Sequence, residues 1–225
     1  MNQITPFRPA PRAAIAPDAL AGLLADLGAQ ETAPGWRRDA LVRAEAMARA
    51  AAATITAQAE RIARLERLAL TDELTGLSNR RGIEARLAER ISEARRHGEP
   101  GVLVYLDLNG LKRINDAHGH AAGDEAIRLV AQGLRRCLRA SDSIGRLGGD
   151  EFAVVMPRCP ADAGLTKAAR MAQAISRLVL ELDGVRIPLS ASVGLAPFTG
   201  EETAAELMAE ADTAMYREKK VSRRA

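Results

Sequence analysis

The spacing of apolar residues along the chain changes period several times, and each change marks an element. Leu20, Leu23, Leu24 and Leu27 fall at i, i+3, i+4 and i+7, one face of a helix. Pro17 and Asp18 can start that helix and Gly28 can stop it. It is too short to be stable alone and needs a partner. The residues before it are rich in proline and read as a loose arm, so 1–33 forms a first segment of arm and short amphipathic helix. From 36 to 70 there is neither proline nor glycine, and Ala, Arg, Glu and Leu dominate. Leu41, Ala44, Ala48, Ala51, Ile55, Gln58, Ile62, Leu65 and Ala69 follow a 3-4 spacing, a heptad seam with one polar position at Gln58. Such a helix would be roughly 50 Å long. Segment 34–71 is therefore expected as one long helix in a dimeric coiled coil, where a parallel copy buries the stripe. An antiparallel hairpin within a monomer is the alternative.

Beyond 71 helical and strand periods alternate. Ile83, Leu87 and Ile91 give a helix over 79 to about 96. Val102 to Leu106 is a continuous apolar run, hence a buried strand. Ile127, Val130, Leu134 and Cys137 share a face of a helix over 121–138, which places Cys137 among small core residues. A helix is expected from 161 to about 182. Ile187, Leu189, Ala191, Val193 and Leu195 alternate as one strand. Leu207, Ala211 and Met215 give a last helix over 203 to about 220. The class is α+β.

Composition narrows the function. The hydrophobic fraction is 47%, enough to build a core, while aromatics make up 3%. That scarcity excludes stacking platforms for single-stranded nucleic acid. The net charge is +3 with bases and acids interspersed, which argues against a nucleic-acid footprint. Cys137 and Cys159 have no metal-type spacing and build no disulfide framework. No run approaches the ~18 apolar residues of a membrane span, and the first residues lack a leader pattern. A soluble, cytoplasmic protein is expected.

The chemistry centres on Arg146-Leu147-Gly148-Gly149-Asp150-Glu151-Phe152. Ile144 before it and Phe152, Val154 and Met156 after it alternate, so two short strands meet at a tight turn. Glycine leaves no side chain at the turn, and another molecule can approach the backbone closely. Two acids then stand at the tip of a β-hairpin. Asp107 ends the buried 102–106 run, where a carboxylate is costly unless paired or bound to a cation. As an isolated feature, Asp107 could also serve as a helix N-cap. Two hard oxygen donors suit Mg²⁺, which takes few protein carboxylates and fills its shell with phosphate oxygens or water. There is no Gly-x-x-x-x-Gly-Lys-Ser/Thr loop, so a P-loop nucleotidase is excluded.

The heptapeptide resembles the signature of the GGDEF family, the bacterial diguanylate cyclases. Three further stretches match in order and spacing: Asp72-Glu-Leu-Thr-Gly-Leu-Ser-Asn-Arg-Arg81; Asp107-Leu-Asn-Gly-Leu-Lys-Arg-Ile-Asn-Asp116 with Gly119-His120 and Gly123-Asp124; and Ala214-Met-Tyr-Arg-Glu-Lys219 with Arg223. The resemblance covers 72–225. It implies a mainly antiparallel five-stranded sheet flanked by helices, like the palm of nucleotide cyclases and polymerases. It implies condensation of two GTP into cyclic di-GMP with loss of pyrophosphate, by 3′-hydroxyl attack on the α-phosphate. It puts Asp107, the Leu108 carbonyl and Asp150 on two Mg²⁺ or Mn²⁺ ions per site, with Asp150 or Glu151 as the base. Gly148 and Gly149 let substrate close to the turn.

The resemblance further places Lys112, Lys219 and Arg223 on the phosphates, with backbone N–H groups at Gly110 and Leu111 assisting. Lys219 and Arg223 read equally as a basic helix end. The family usually has glycine before the last arginine, where this chain has Ser222. Asn115 and Asp124 match the pair that reads guanine, although Asp124 also suits an early helix position. Arg139 and Asp142, with Arg170, match an inhibitory site that binds the product. Each domain would hold one GTP, so a homodimer is implied, and a regulatory protein could grip the N-terminal helices. A catalytically dead receptor for cyclic di-GMP and a dimeric scaffold are the other classes of reading. The intact Asp107, Asn115, Asp124, Asp150 and Lys219 speak against the receptor.

Overall fold

The computed structural model describes residues 35–222. The expected arm, the short helix over 17–28 and Arg223 lie outside the described residues. The chain divides into two compact units, Met1–Arg64 and Leu65–Ala225. In the first, helix α1 (Trp36–Leu70) begins, and its seam residues Leu41, Ile55 and Ile62 are 71%, 67% and 56% exposed. No described helix is long and apolar enough to cross a membrane.

In the second unit the order is α2 (Arg80–His97), β1 (Gly101–Leu108), α3 (Leu111–His118), α4 (His120–Cys137), β2 (Ser143–Gly148), β3 (Glu151–Met156), α5 (Ala161–Ser176), β4 (Val179–Leu182), β5 (Val185–Pro188), β6 (Ala191–Phe198) and α6 (Ala204–Ser222). The central sheet is antiparallel, in the order β2-β3-β1-β6. Every residue of β1 is buried, because helices cover both faces of the sheet. Val102, Val104, Leu106 and Leu108 join Ile127, Val130, Leu134, Met171 and Ile175 on one side. Leu103 and Tyr105 join Ile83, Leu87, Leu207 and Met215 on the other. The period of two in the strand thus sorts its side chains between two separate cores.

The α+β class and the flanking helices are as expected from the sequence. The five strands expected in one sheet resolve into four, with β4 and β5 forming a separate two-stranded sheet. Two local causes account for this. The helix expected to reach about 182 stops at Ser176, and Val179–Leu182 pairs with Val185–Pro188 across Asp183 and Gly184. Both turn residues have positive φ, 46° and 81°, the geometry that matches strand twist in a two-residue hairpin. The alternating run 187–195 is also broken. Pro188 has no N–H to donate, Leu189 N–H donates to the Leu178 carbonyl, and the Ser190 carbonyl accepts from Asn109 N–H. Cys137, expected in the core, is exposed at the end of α4, while Cys159 is buried.

Candidate active site

The site is assembled at the end of the sheet where β1 finishes and β2 turns into β3. Gly148 and Gly149 form the turn with φ of 145° and 53°, a path that side chains disfavour. Arg146 braces that turn from one side. Its Nε and Nη2 donate to the Gly149 carbonyl at 3.0 and 2.8 Å, and its Nη1 pairs with Asp72 at 3.2 Å. Asp72 itself closes a turn, accepting from the backbone N–H and hydroxyl of Thr75. Arg80, the first residue of α2, braces β2 through Nε to the Leu147 carbonyl at 3.1 Å. The backbone carbonyl of Asp150 accepts from Leu108 N–H at 3.0 Å, which fixes the tip against the end of β1.

Asp150 opens onto a cavity of about 620 Å³, lined also by Leu108, Asn109, Gly110, Leu111, Lys112, Arg113, Ser190 and Lys219. Gly110 starts α3 without any side-chain cap. The N–H groups of the first turn therefore remain available to an anion, which the helix end favours. Asp107 is 7% exposed, and Lys219 of α6 reaches it at 2.5 Å. The lysine gives the buried carboxylate an opposite charge as its partner. The position of Lys219 depends on Gly194 of β6. A Cβ there would lie 2.1 Å from the Ala211 carbonyl and 2.2 Å from Met215 N, so the missing side chain lets α6 lie directly on the strand.

Glu151 stands directly opposite Asp107 in the β1–β3 register, yet it does not line the cavity. Its Oε2 accepts from the Tyr105 hydroxyl at 3.0 Å and lies 3.5 Å from Arg80 Nη2. Burial first, and then the hydrogen bond to Glu151, push the Tyr105 phenol up from its ordinary pKa. The two hairpin acids thus have different surroundings.

Asn115 on α3 and Asp124 on α4 occupy successive helices. The Asn115 Oδ1 is buried and has no hydrogen-bond partner among the described residues. It sits 1.9 Å from where a Cβ on Gly123 would be, so the glycine makes its room. A buried acceptor of this kind needs a partner from outside the protein, such as water or a polar ligand. Asp124 is partly buried. Arg139 and Asp142 lie in the loop between α4 and β2. The Asp142 carboxylate accepts from Arg139 N–H at 3.1 Å and faces the Ser141 hydroxyl at 3.4 Å, and Arg170 is exposed on α5. These three are outside the cavity.

Of the three groups expected on a cation, Asp150 and Leu108 line the cavity, while Asp107 does not and is paired with Lys219, which does. All three offer oxygen only, and no group of three His, Cys, Asp or Glu side chains gathers among the described residues. A cation that takes few carboxylates and completes its shell with phosphate oxygens and water fits this arrangement. Sequence reasoning missed Asn109, Arg113 and Ser190 in the lining and gave no role to Arg146, Asp72, Arg80 or Tyr105. One signal was present for Tyr105: a phenol inside a buried apolar strand needs a hydrogen-bond partner.

Known proteins share this sequence and fold. Diguanylate cyclase DgcP of Pseudomonas aeruginosa is 38% identical over 150 residues, which is 67% of this chain and 22% of that protein. The chain spans well under half the length of the curated relatives it matches first. The crystal structure of the coiled coil and GGDEF domain of DgcB from Caulobacter crescentus, in complex with c-di-GMP, matches with a TM-score of 0.72 at 30% identity, covering 78% of this chain and 94% of that one. Diguanylate cyclase SiaD of Pseudomonas aeruginosa, in complex with its activator SiaC, matches with a TM-score of 0.67 at 27% identity, covering 93% of this chain and 80% of that one. The family model described as "Diguanylate cyclase, GGDEF domain" matches residues 69–225, and since that stretch holds the braced hairpin, the cavity and Asp107, the chain belongs to the GGDEF-domain diguanylate cyclase family.

Proposed function

We propose that this protein is a diguanylate cyclase that condenses two GTP into cyclic di-GMP. The observation that carries the reading is the cavity that joins Asp150, the uncapped first turn of α3 and Lys219. Its volume of about 620 Å³ is in the range of small-molecule sites. The 3′-oxygen of one GTP attacks the α-phosphorus of the other, the bond to the β-phosphate breaks, and pyrophosphate leaves; the exchange happens twice. Asp150 receives the 3′-hydroxyl proton, since it faces the cavity while Glu151 is held by Tyr105 and Arg80. Asp107, the Leu108 carbonyl and Asp150 are the residues that would hold divalent cations, two Mg²⁺ or Mn²⁺ per site, and such ions would supply neutralisation of charge on the attacking and leaving oxygens. Lys112 and the N–H groups at Gly110 and Leu111 hold the phosphates, joined by Lys219 once a cation has taken its place on Asp107, with Arg223 beyond them in sequence.

Asn115 and Asp124 read guanine, the amide through its orphaned Oδ1 and the carboxylate by accepting from N1–H and the 2-amino group. Gly148 and Gly149 let the second nucleotide close to the tip. Each domain holds one GTP, so the reaction needs a homodimer. The exposed seam residues Leu41, Ile55 and Ile62 support pairing through α1, as does the likeness to a chain containing a coiled coil. A regulatory protein acts on the N-terminal helices, supported by the likeness to SiaD with its activator over 93% of this chain. Arg139, Asp142 and Arg170 bind product and inhibit. Incubating the protein with GTP and Mg²⁺ and weighing the product by mass spectrometry is the test. Cyclic di-GMP is expected, and its absence with the dimer present would overturn the reading.

A further inference from the structure

The pair formed by Asp107 and Glu151 poses a physical problem that the site solves in a specific way. The two carboxylates face each other across β1 and β3, and like charges directly opposite in a sheet repel. Each is drawn to a different cation on a different helix. Asp107 goes to Lys219 on α6. Glu151 goes to Arg80 on α2, with the Tyr105 hydroxyl as a second donor. Tyr105 is 5% exposed and packed in the core between the sheet and α2 and α6, so its hydroxyl has a fixed position. Arg80 uses Nε on the Leu147 carbonyl of β2 and Nη2 on Glu151 of β3. One guanidinium thereby bridges both strands of the hairpin whose turn carries Asp150.

We propose that Tyr105 and Arg80 are positioning residues of the reaction, acting through Glu151 to hold the hairpin tip in the register that aims Asp150 into the cavity. The inference rests on the diguanylate cyclase reading. Glu151 in this arrangement is an anchor: its side chain is the fixed end and the neighbouring Asp150 is the working end. Released from the phenol, Glu151 has no restraint except a half-exposed arginine, and the tip gains freedom exactly where two nucleotides must meet within reacting distance. A loss of this kind falls on turnover and leaves binding of the first GTP nearly intact, because the phosphate contacts lie on α3 and α6.

The experiment measures kcat and KM for GTP, and amide hydrogen exchange at residues 148–151, in the full chain. The variants are Tyr105→Phe, Glu151→Ala, the double substitution, Arg80→Ala and Arg80→Lys. Tyr105→Phe keeps the ring and is expected to lower kcat about tenfold with KM within about twofold, and to speed exchange at the tip. The double variant is expected to lose no more than Glu151→Ala alone, since the phenol acts through the carboxylate. Arg80→Lys should recover part of what Arg80→Ala loses. Unchanged kcat and exchange in Tyr105→Phe, or losses that multiply in the double variant, would overturn the proposal. Should Tyr105→Phe fold poorly, the Arg80 variants decide, because that side chain is 49% exposed and its removal leaves the core whole; equal turnover in Arg80→Ala and wild type would then overturn it. An inactive wild type would count against the cyclase reading instead, and the exchange data would still test the anchor.

Discussion

Lys219 is the one side chain within reach of the buried Asp107 carboxylate among the described residues. Removing it leaves a buried charge with no partner, a cost of about 3–5 kcal/mol. Lys219→Met is therefore expected to melt at a lower temperature than wild type in a chelating buffer. Added Mg²⁺ should restore part of the loss, because a cation can then take the carboxylate; differential scanning fluorimetry with and without the metal checks both halves. A second residue-scale expectation concerns Gly123. A methyl group there would overlap the Asn115 Oδ1, so Gly123→Ala should turn the amide away from its site. The KM for GTP should rise by about tenfold, roughly 1.4 kcal/mol, while the fold survives. Initial rates over a GTP series measure it, and an unchanged KM would show that Asn115 does not meet substrate.

Among the elements, α6 shows how a strand residue places a functional group two elements away. Gly194→Ala would push the helix off β6 at Ala211 and Met215. The shift moves Lys219, one turn further along α6. The expected outcome is a loss of about 1–3 kcal/mol in stability, as for overpacked cores, together with lower activity at temperatures where the protein is still folded; urea unfolding and rates at the same temperature separate the two. Long periodic elements were legible in the sequence for the same reason that they are stable. Ile83, Leu87 and Ile91 bury one face of α2, and the apolar run at 102–106 can only be a strand covered on both sides. The β4–β5 hairpin was not read, although Asp183-Gly184 signals it, because the apolar residues that follow α5 continue its helical spacing. The cavity was half legible. Asp150, Lys112 and Lys219 stand out as charges, whereas Ser190 enters only because the chain changes partner after Pro188, a break that alternation does not reveal. Tyr105 and Arg80 meet Glu151 through tertiary packing alone, from separations of 46 and 71 residues.

On the scale of the whole molecule, the proposed reaction links activity to association. If two domains must face each other, a tether that keeps them near supplies a high effective concentration. Deleting residues 1–65 should lower the rate per chain at low protein concentration, and the deficit should shrink as concentration rises. Sedimentation and initial rates on the same samples check this, and Ile55→Asp with Ile62→Asp should act in the same direction by placing charge in the seam. An activator of the N-terminal helices shifts output only as far as its affinity differs between productive and unproductive pairings. A truncated chain that is monomeric and equally active at low concentration would show that α1 serves another purpose.

The bond from Arg146 to Asp72 also sets where this protein can be cut and joined. The turn that presents Asp150 leans on a residue that precedes α2 and lies just beyond the end of α1. For an engineer exchanging sensory modules, the transplantable cassette therefore begins at Asp72 and not at the first residue of the sheet. A chimaera spliced at 71 carries the brace with it. One spliced at 79 inherits every acid and lysine of the cavity and leaves the turn without its far support.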